Sequence, residues 1–268
     1  MGAVPSHRET SERASDARTR QTAQSYPPAS SVYLMILLAL LLTLTPKAYV
    51  AGYGAEACYI FEPDPLPATA PVVVFLHGWN SVDYRDYWLW IDHLVSKGHI
   101  VLFPVYQDCI LTPPANFVAN AFTGIRNGLV AMHTKFDGRL HLVGHSAGGN
   151  LAAQLAAVLP LNGLPVAQSV VIAMPGRLPF DLPVSLRAIP ATTRLTVVVG
   201  DSDRLVGWER GRQIVMEASS VPQERKRFLL LASRLGLPAD HRAPYCRSFA
   251  DALDVTLWNL TDQTIEGK

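Results

Sequence analysis

The chain has 268 residues, of which 49% are hydrophobic, and a formal net charge of +1. That length and apolar share suit one domain with one substantial core, and the near-neutral charge gives no electrostatic basis for nucleic acid as a partner. No internal repeat or heptad pattern is visible.

Residues 1–31 are polar, with Arg8, Arg13, Arg18 and Arg20 interleaved with Glu9, Glu12 and Asp16, and too poor in large apolar groups to fold alone. They are expected to be a disordered leader. From Val32 to Thr45 the chain is apolar without a charge, and Pro46, Lys47 and small residues follow up to Gly52. This run is shorter than the roughly 20 residues that span a bilayer. Residues 32–51 therefore read as a secretory signal with cleavage near Ala51 or Gly52, the alternative being a retained membrane tether through residues 32–45. The expected location is outside the cell or in its envelope, or anchored in a membrane, with the folded domain at 52–268.

Cys58, Cys109 and Cys246 have no metal-binding spacing. One disulfide with a free thiol and three reduced thiols both remain open.

Within the domain, Ala57–Phe61 reads as an early strand, and the proline-rich segment from Pro63 to Pro71 as a surface connection unable to pair in a central sheet. The β-branched run from Pro71 to Trp79 suits a strand buried on both faces of a parallel sheet. Next come a helix over 84–97, a strand over 99–106, a helix over 116–135 with weak points at Gly124 and Gly128, and a strand over 139–143. An alanine-rich helix over 150–159 stops at Pro160. Strands over 169–174, 195–200 and 227–231, a helix over 209–219 and a last helix from about Ser248 to Leu260 complete the pattern. Alternation of this kind predicts an α/β fold, a mostly parallel sheet with helices on both faces and sites at the carboxyl ends of its strands.

Gly144-His145-Ser146-Ala147-Gly148 lies where a buried strand stops and a helix starts. In Gly-x-Ser-x-Gly the serine occupies a sharp turn between strand and helix, and the flanking glycines let the backbone pass close to its neighbours. Ser146 is thus a candidate nucleophile. The alternative is a tight turn whose serine merely caps the helix. A serine needs a base, commonly an imidazole held by a carboxylate, and in the chain order serine, acid, histidine that base lies after Ser146. His241 meets that condition, which sets aside His7, His77, His93, His99, His133, His141 and His145. For the acid, the turn after the strand at 195–200 offers Asp201 and Asp203; Asp203 is preferred as lying further out, with Asp201 as a turn former. Oxyanion donors are expected from the backbone N–H groups of Ala147, at the helix start, and Trp79, after His77-Gly78. His77 itself reads as structural. Trp79, Tyr84, Tyr87, Trp88 and Trp90 read mostly as core, with one or two available to line an apolar cleft.

The segments Phe75–Trp79, Gly144–Gly148, Gly200–Val206 and Ala239–His241 together resemble the α/β-hydrolase superfamily, and within it the cutinase, polyester hydrolase and chlorophyllase-like group. The resemblance spans about residues 57–262. It implies a carboxylic-ester hydrolase with Ser146 as nucleophile, His241 as base and then acid, Asp203 as orienter and no cofactor. The expected substrate is a small-molecule or polymeric ester, and a monomer is expected. One departure concerns the disulfide that secreted polyester hydrolases carry near the C-terminus: this chain has only Cys246 there. A serine peptidase or a lyase on the same fold, and a catalytically silent binding module, are the competing expectations.

Overall fold

Runs of valine, isoleucine and leucine build the sheet, and the computed structural model describes it within residues 48–179, 181, 183–234, 237–245 and 256–268, all of one compact unit. The strands are β1 (Ala48–Ala51), β2 (Cys58–Phe61), β3 (Thr69–Leu76), β4 (Ile100–Pro104), β5 (Lys135–His145), β6 (Ala167–Ala173), β7 (Arg194–Gly200) and β8 (Lys226–Leu231). Among the described residues they form one sheet in the order β1-β2-β4-β3-β5-β6-β7-β8. β1 and β2 run antiparallel, and every pairing from β4 to β8 is parallel. The helices are α1 (Trp88–Ser96), α2 (Phe117–Ala131), α3 (Ala147–Val158), α4 (Glu209–Glu217) and α5 (Thr256–Glu266).

Side chains alternate across β3, so Val72, Val74 and Leu76 face one core while Val73 and Phe75 face the other. The first core takes Phe117, Ile125, Leu151, Leu155 and Ile214 from α2, α3 and α4. The second takes Trp90, Ile91 and Leu94 from α1 and Leu257 from α5. Each such side chain, fully buried, stabilises the fold by roughly 1.5–3 kcal/mol. Both faces being covered is the condition that lets parallel strands remain apolar throughout.

Four sequence expectations shift. The sheet starts at Ala48, because β1 pairs with β2 from Ala48↔Phe61 to Ala51↔Cys58; a cut after Ala51 would remove this edge strand. Pro71, read both as the end of the proline-rich connection and as the start of the strand, lies inside β3, which begins at Thr69, within that connection. The register with β5 slips between Ala70 and Val72, so the missing N–H of Pro71 falls at a bulge. The helix expected over 116–135 ends at Ala131, and Lys135 already belongs to β5. The last helix runs on to Glu266; residues 246–255, where its start was expected, lie outside the described residues.

Cys58 is buried and Cys109 exposed, and both are unpaired. Cys246, the leader and the apolar segment at 32–45 lie outside the described residues. Among the described residues no helix is long and apolar enough to cross a membrane.

Candidate active site

β5 ends at His145 and α3 begins at Ala147, so Ser146 alone makes the turn. Its backbone takes φ 56° and ψ −121°, a conformation that side-chain-bearing residues rarely adopt. Its hydroxyl makes no capping bond to the helix, which removes the capping role as an explanation of the motif. The flanking glycines are a matter of space. A Cβ on Gly144 would fall on the Gly148 carbonyl, and one on Gly148 would fall on the carbonyls of Leu76 and His77.

The structure brings Ser146, His241 and Asp203 together from the ends of β5, β8 and β7. His241 Nε2 lies 2.9 Å from Ser146 Oγ, and His241 Nδ1 lies 2.8 Å from Asp203 Oδ2. The Asp203 carboxylate is buried, and its second oxygen accepts from the N–H groups of Leu205 and Val206 at 2.9 and 3.2 Å. Those bonds fix the carboxylate plane towards the imidazole. Asp201 is occupied elsewhere: it is exposed and accepts from Ser202 Oγ, Ser233 Oγ and Ser233 N, which tie the β7 turn to the segment after β8. These bonds hold its carboxyl below the usual range.

The two expected oxyanion donors, Ala147 and Trp79, lie at the start of α3 and in the loop after β3. Ala147 is the first residue of α3, and a helix leaves its first N–H groups without intrahelical acceptors. Trp79 is flanked by N–H groups that are engaged: Gly78 N–H donates to Tyr87 Oη and Asn80 N–H to Gln107 Oε1, each at 2.8 Å. The Gly78 carbonyl accepts from Ser81 N–H at 3.0 Å, and in a trans peptide this turns the Trp79 N–H the opposite way. Tyr106 O–H donates to the His77 carbonyl, and the His77 ring lies between the carbonyls of Gly78 and Val105 and stacks on Tyr106. Burial pushes His77 down to about 4 against the pull of the two carbonyls, and the ring serves to shape this loop. The Trp79 indole is 47% exposed, whereas Tyr87 and Trp90 are core.

Residues 73–265 match the family described as the alpha/beta hydrolase family. The chain belongs to the alpha/beta hydrolase family. No curated protein matches it in sequence. Among solved alpha/beta structures, it is similar to Est2, a thermophilic esterase from the Planctomycetes species Thermogutta terrifontis, with a TM-score of 0.64 and 15% identity over 83% of this chain and 92% of that one. Est1E from Butyrivibrio proteoclasticus gives 0.55 at 16% identity, over 82% and 96% of the two chains. At these identities the likeness is one of fold.

This alpha/beta hydrolase also engages residues to which sequence reasoning gave no role. His145, inside the serine motif, is buried with Nδ1 2.8 Å from Tyr87 Oη and Nε2 3.0 Å from the His241 carbonyl. Tyr245 Oη lies 2.7 Å from Ser81 Oγ, a second tie between the His241 segment and the loop after β3. On α3, Asn150 and Gln154 are buried and donate to the Asp181 carboxylate, at 2.7 Å and at 3.2–3.3 Å. Two polar residues spaced i, i+4 in an otherwise alanine-rich helix were the signal that could have found this cluster.

Proposed function

We propose that the protein is a serine esterase that cleaves carboxylic esters through an acyl-enzyme. The observation that carries this reading is the His241 imidazole bridging Ser146 Oγ and the buried Asp203 carboxylate, at the carboxyl edge of a hydrolase sheet. Ser146 Oγ attacks the ester carbonyl carbon while His241 Nε2 takes its proton. The carbonyl oxygen, now negative, accepts from the N–H groups of Ala147 and Trp79. The carbon–oxygen bond to the alcohol then breaks, and His241 returns its proton to the leaving oxygen. Water next attacks the acyl-serine, with His241 taking a proton from it and restoring one to Ser146. Asp203 holds the imidazole in the tautomer that exposes a bare Nε2 to the hydroxyl.

Small esters are the preferred substrates. Polymeric esters, which the resemblance to the cutinase and polyester hydrolase group implies, are the second reading. It is favoured by the exposed Trp79, Leu205 and Trp208, which follow the carboxyl ends of β3 and β7. Export, or tethering through residues 32–45, belongs to the same proposal; N-terminal sequencing of the mature protein tests it.

The deciding experiment is intact-mass spectrometry of the protein treated with a fluorophosphonate. One adduct mapping to Ser146 and missing in Ser146→Ala is the expected result, with p-nitrophenyl ester hydrolysis lost in both Ser146→Ala and His241→Ala. A folded protein that takes no adduct overturns the reading and favours a binding module.

A further inference from the structure

We infer that the cavity between α3, α4 and the connection from β6 to β7 binds a phosphate-class oxyanion, free or carried by a substrate. This goes beyond the esterase reading and does not depend on it. The cavity has a volume of about 320 Å³, inside the roughly 300–1,000 Å³ of small-molecule sites. Arg177, Arg187 and Arg210 line it against one carboxylate, Glu217, which leaves a surplus of two positive charges. A phosphate dianion balances that surplus, and its tetrahedral oxygens suit guanidinium forks that donate in pairs. The hydroxyls of Ser185 and Ser219, in the same lining, add donors without charge.

Of the three arginines, Arg210 is held in place. Its side chain is 12% exposed, Nε donates to Asn150 Oδ1 at 2.8 Å and Nη1 to Glu217 Oε2 at 3.1 Å, which sets the plane of the guanidinium. Arg177 and Arg187 are exposed, and among the described residues their guanidinium groups make no hydrogen bond or ion pair. The Asp181 carboxyl, raised by burial and drawn back in part by Gln154 and Arg177, is outside the lining, and its oxygens accept from Asn150 and Gln154. Like charges gathered on one hollow repel each other, and the apolar walls of Val184 and Leu186 sharpen the field that an anion meets there. The cavity is apart from the reacting atoms: Gln154, in its α3 wall, is eight residues past Ser146, about 12 Å along the helix. It is nevertheless linked to them. The Ser146 carbonyl accepts from Gly176 N–H at 3.0 Å and Asn150 N–H at 3.1 Å; Arg177 follows the first of these residues and Arg210 holds the second. An anion bound by Arg177 and Arg210 therefore braces the turn that carries Ser146.

The test is isothermal titration calorimetry of the full chain with sodium phosphate at constant ionic strength, with sodium chloride as the control. The expected result is saturable binding, weakened about tenfold or more in both Arg177→Gln and Arg187→Gln. Binding is unchanged in Arg85→Gln, which removes an exposed arginine just before α1. Two kinetic arms identify the source of the oxyanion. Where a substrate carries it, Arg177→Gln raises KM for an acetate ester of a phosphate-bearing alcohol but not for p-nitrophenyl acetate, and free phosphate competes with that ester. Where it is free, phosphate changes kcat for p-nitrophenyl acetate, and the phosphate-bearing ester has no advantage. Heat with phosphate no greater than with chloride, or an affinity unaltered in both cavity variants, overturns the inference. Fluorophosphonate labelling of Ser146 in the same samples reports on the esterase reading separately. A protein that takes the label but not phosphate loses this inference alone, and one that takes phosphate but no label keeps it.

Discussion

The Nε2–H of His145 donates to the backbone carbonyl of His241 at 3.0 Å, so the residue before Ser146 holds the residue proposed as its base. Burial, with the nearby His241 ring, pushes His145 down to about 3, and the imidazole is neutral. With its one proton on Nε2, Nδ1 is bare and accepts from the Tyr87 hydroxyl at 2.8 Å. Tyr87 Oη in turn accepts from Gly78 N–H, which links the His241 segment to the loop that carries Trp79. His145→Phe is expected to lower unfolding free energy by about 1–3 kcal/mol, because it removes the His145 acceptor of the Tyr87 O–H and the His145 donor to the His241 carbonyl. It should also lower kcat by about tenfold or more through a displaced His241. Urea unfolding and steady-state kinetics measure the two. His145→Gln, which keeps one donor and one acceptor, recovers part of each loss; a His145→Phe protein with full kcat would contradict the positioning role.

The two aspartates of the β7 turn separate by partner. Asp203→Asn removes the acceptor that selects the His241 tautomer, and kcat is expected to fall by about 10³–10⁴ with the fold intact. Asp201→Asn disturbs bonds to Ser202 and Ser233 at the surface. Its expected effect is a lower melting temperature with kcat within about twofold of wild type, since a loosened turn still presents Asp203. Parallel kinetics and thermal melts of the two variants check this, and a larger kcat loss at Asp201 would reverse the roles.

What the sequence allowed one to read follows the range over which each feature is determined. The β-branched runs, the serine turn and the alternation of strand and helix are local, and the strand positions of β3 to β8 follow from them. The end of α2 is different. No glycine or proline marks it, and the stop comes from Glu62, whose carboxylate accepts from the N–H groups of His133 and Thr134 at 3.2 and 2.7 Å from far along the chain. Gly124 and Gly128, which read as weak points of a helix, are where α2 lies against the sheet: a Cβ on Gly128 would approach Cys58 Sγ to 2.9 Å and Leu102 to 3.0 Å. β1 was hidden because alanines and a lone valine beside an apolar run look like a processing site until β2 pairs with them. At the site, spacing identified the residues with a chemical signature. Those that hold them, His145, Tyr87 and Tyr245, are ordinary core residues by type, and only tertiary contacts distinguish them.

Acid should destabilise this fold before its carboxylates titrate. His77, His141 and His145 are buried, and burial, first among the causes, lowers their values from 6.5 to about 4, about 3 and about 3. The unfolded chain binds protons at these positions below about pH 6.5, while the folded chain does not until near pH 4. The unfolded state thus holds more protons in this window, so stability rises with pH across it and is lost as pH falls from 6.5 towards 4. Each ring contributes a slope approaching about 1.4 kcal/mol per pH unit. Urea midpoints between pH 7.5 and 5.0 should fall steeply. His141 Nδ1 lies 2.8 Å from Ser169 Oγ, and His141→Gln, which cannot titrate, should flatten the fall by about one ring's share. An unchanged slope in that variant would show that the imidazole is already charged in the fold.

The turn at Ser146 is held in tension for the sake of its hydroxyl. With φ 56° and ψ −121°, the residue occupies a region open to glycine and costly for any side chain, by about 1–3 kcal/mol. The surroundings leave it no other conformation: Ser146 N–H donates to the Ala173 carbonyl at 3.0 Å, and its own carbonyl accepts from Gly176 and Asn150 N–H at 3.0 and 3.1 Å. Replacing the side chain with hydrogen relieves the strain and leaves those bonds unchanged. Ser146→Gly is therefore expected to abolish esterase activity and to raise unfolding free energy by about 1 kcal/mol or more, whereas Ser146→Ala abolishes activity and keeps the strain. The comparison of glycine with alanine separates backbone strain from loss of the hydroxyl, because both variants lack the bond to His241. Equal stability of the two in urea would mean that the strain does not exceed the roughly 0.5–1 kcal/mol that glycine costs through the entropy of the unfolded chain.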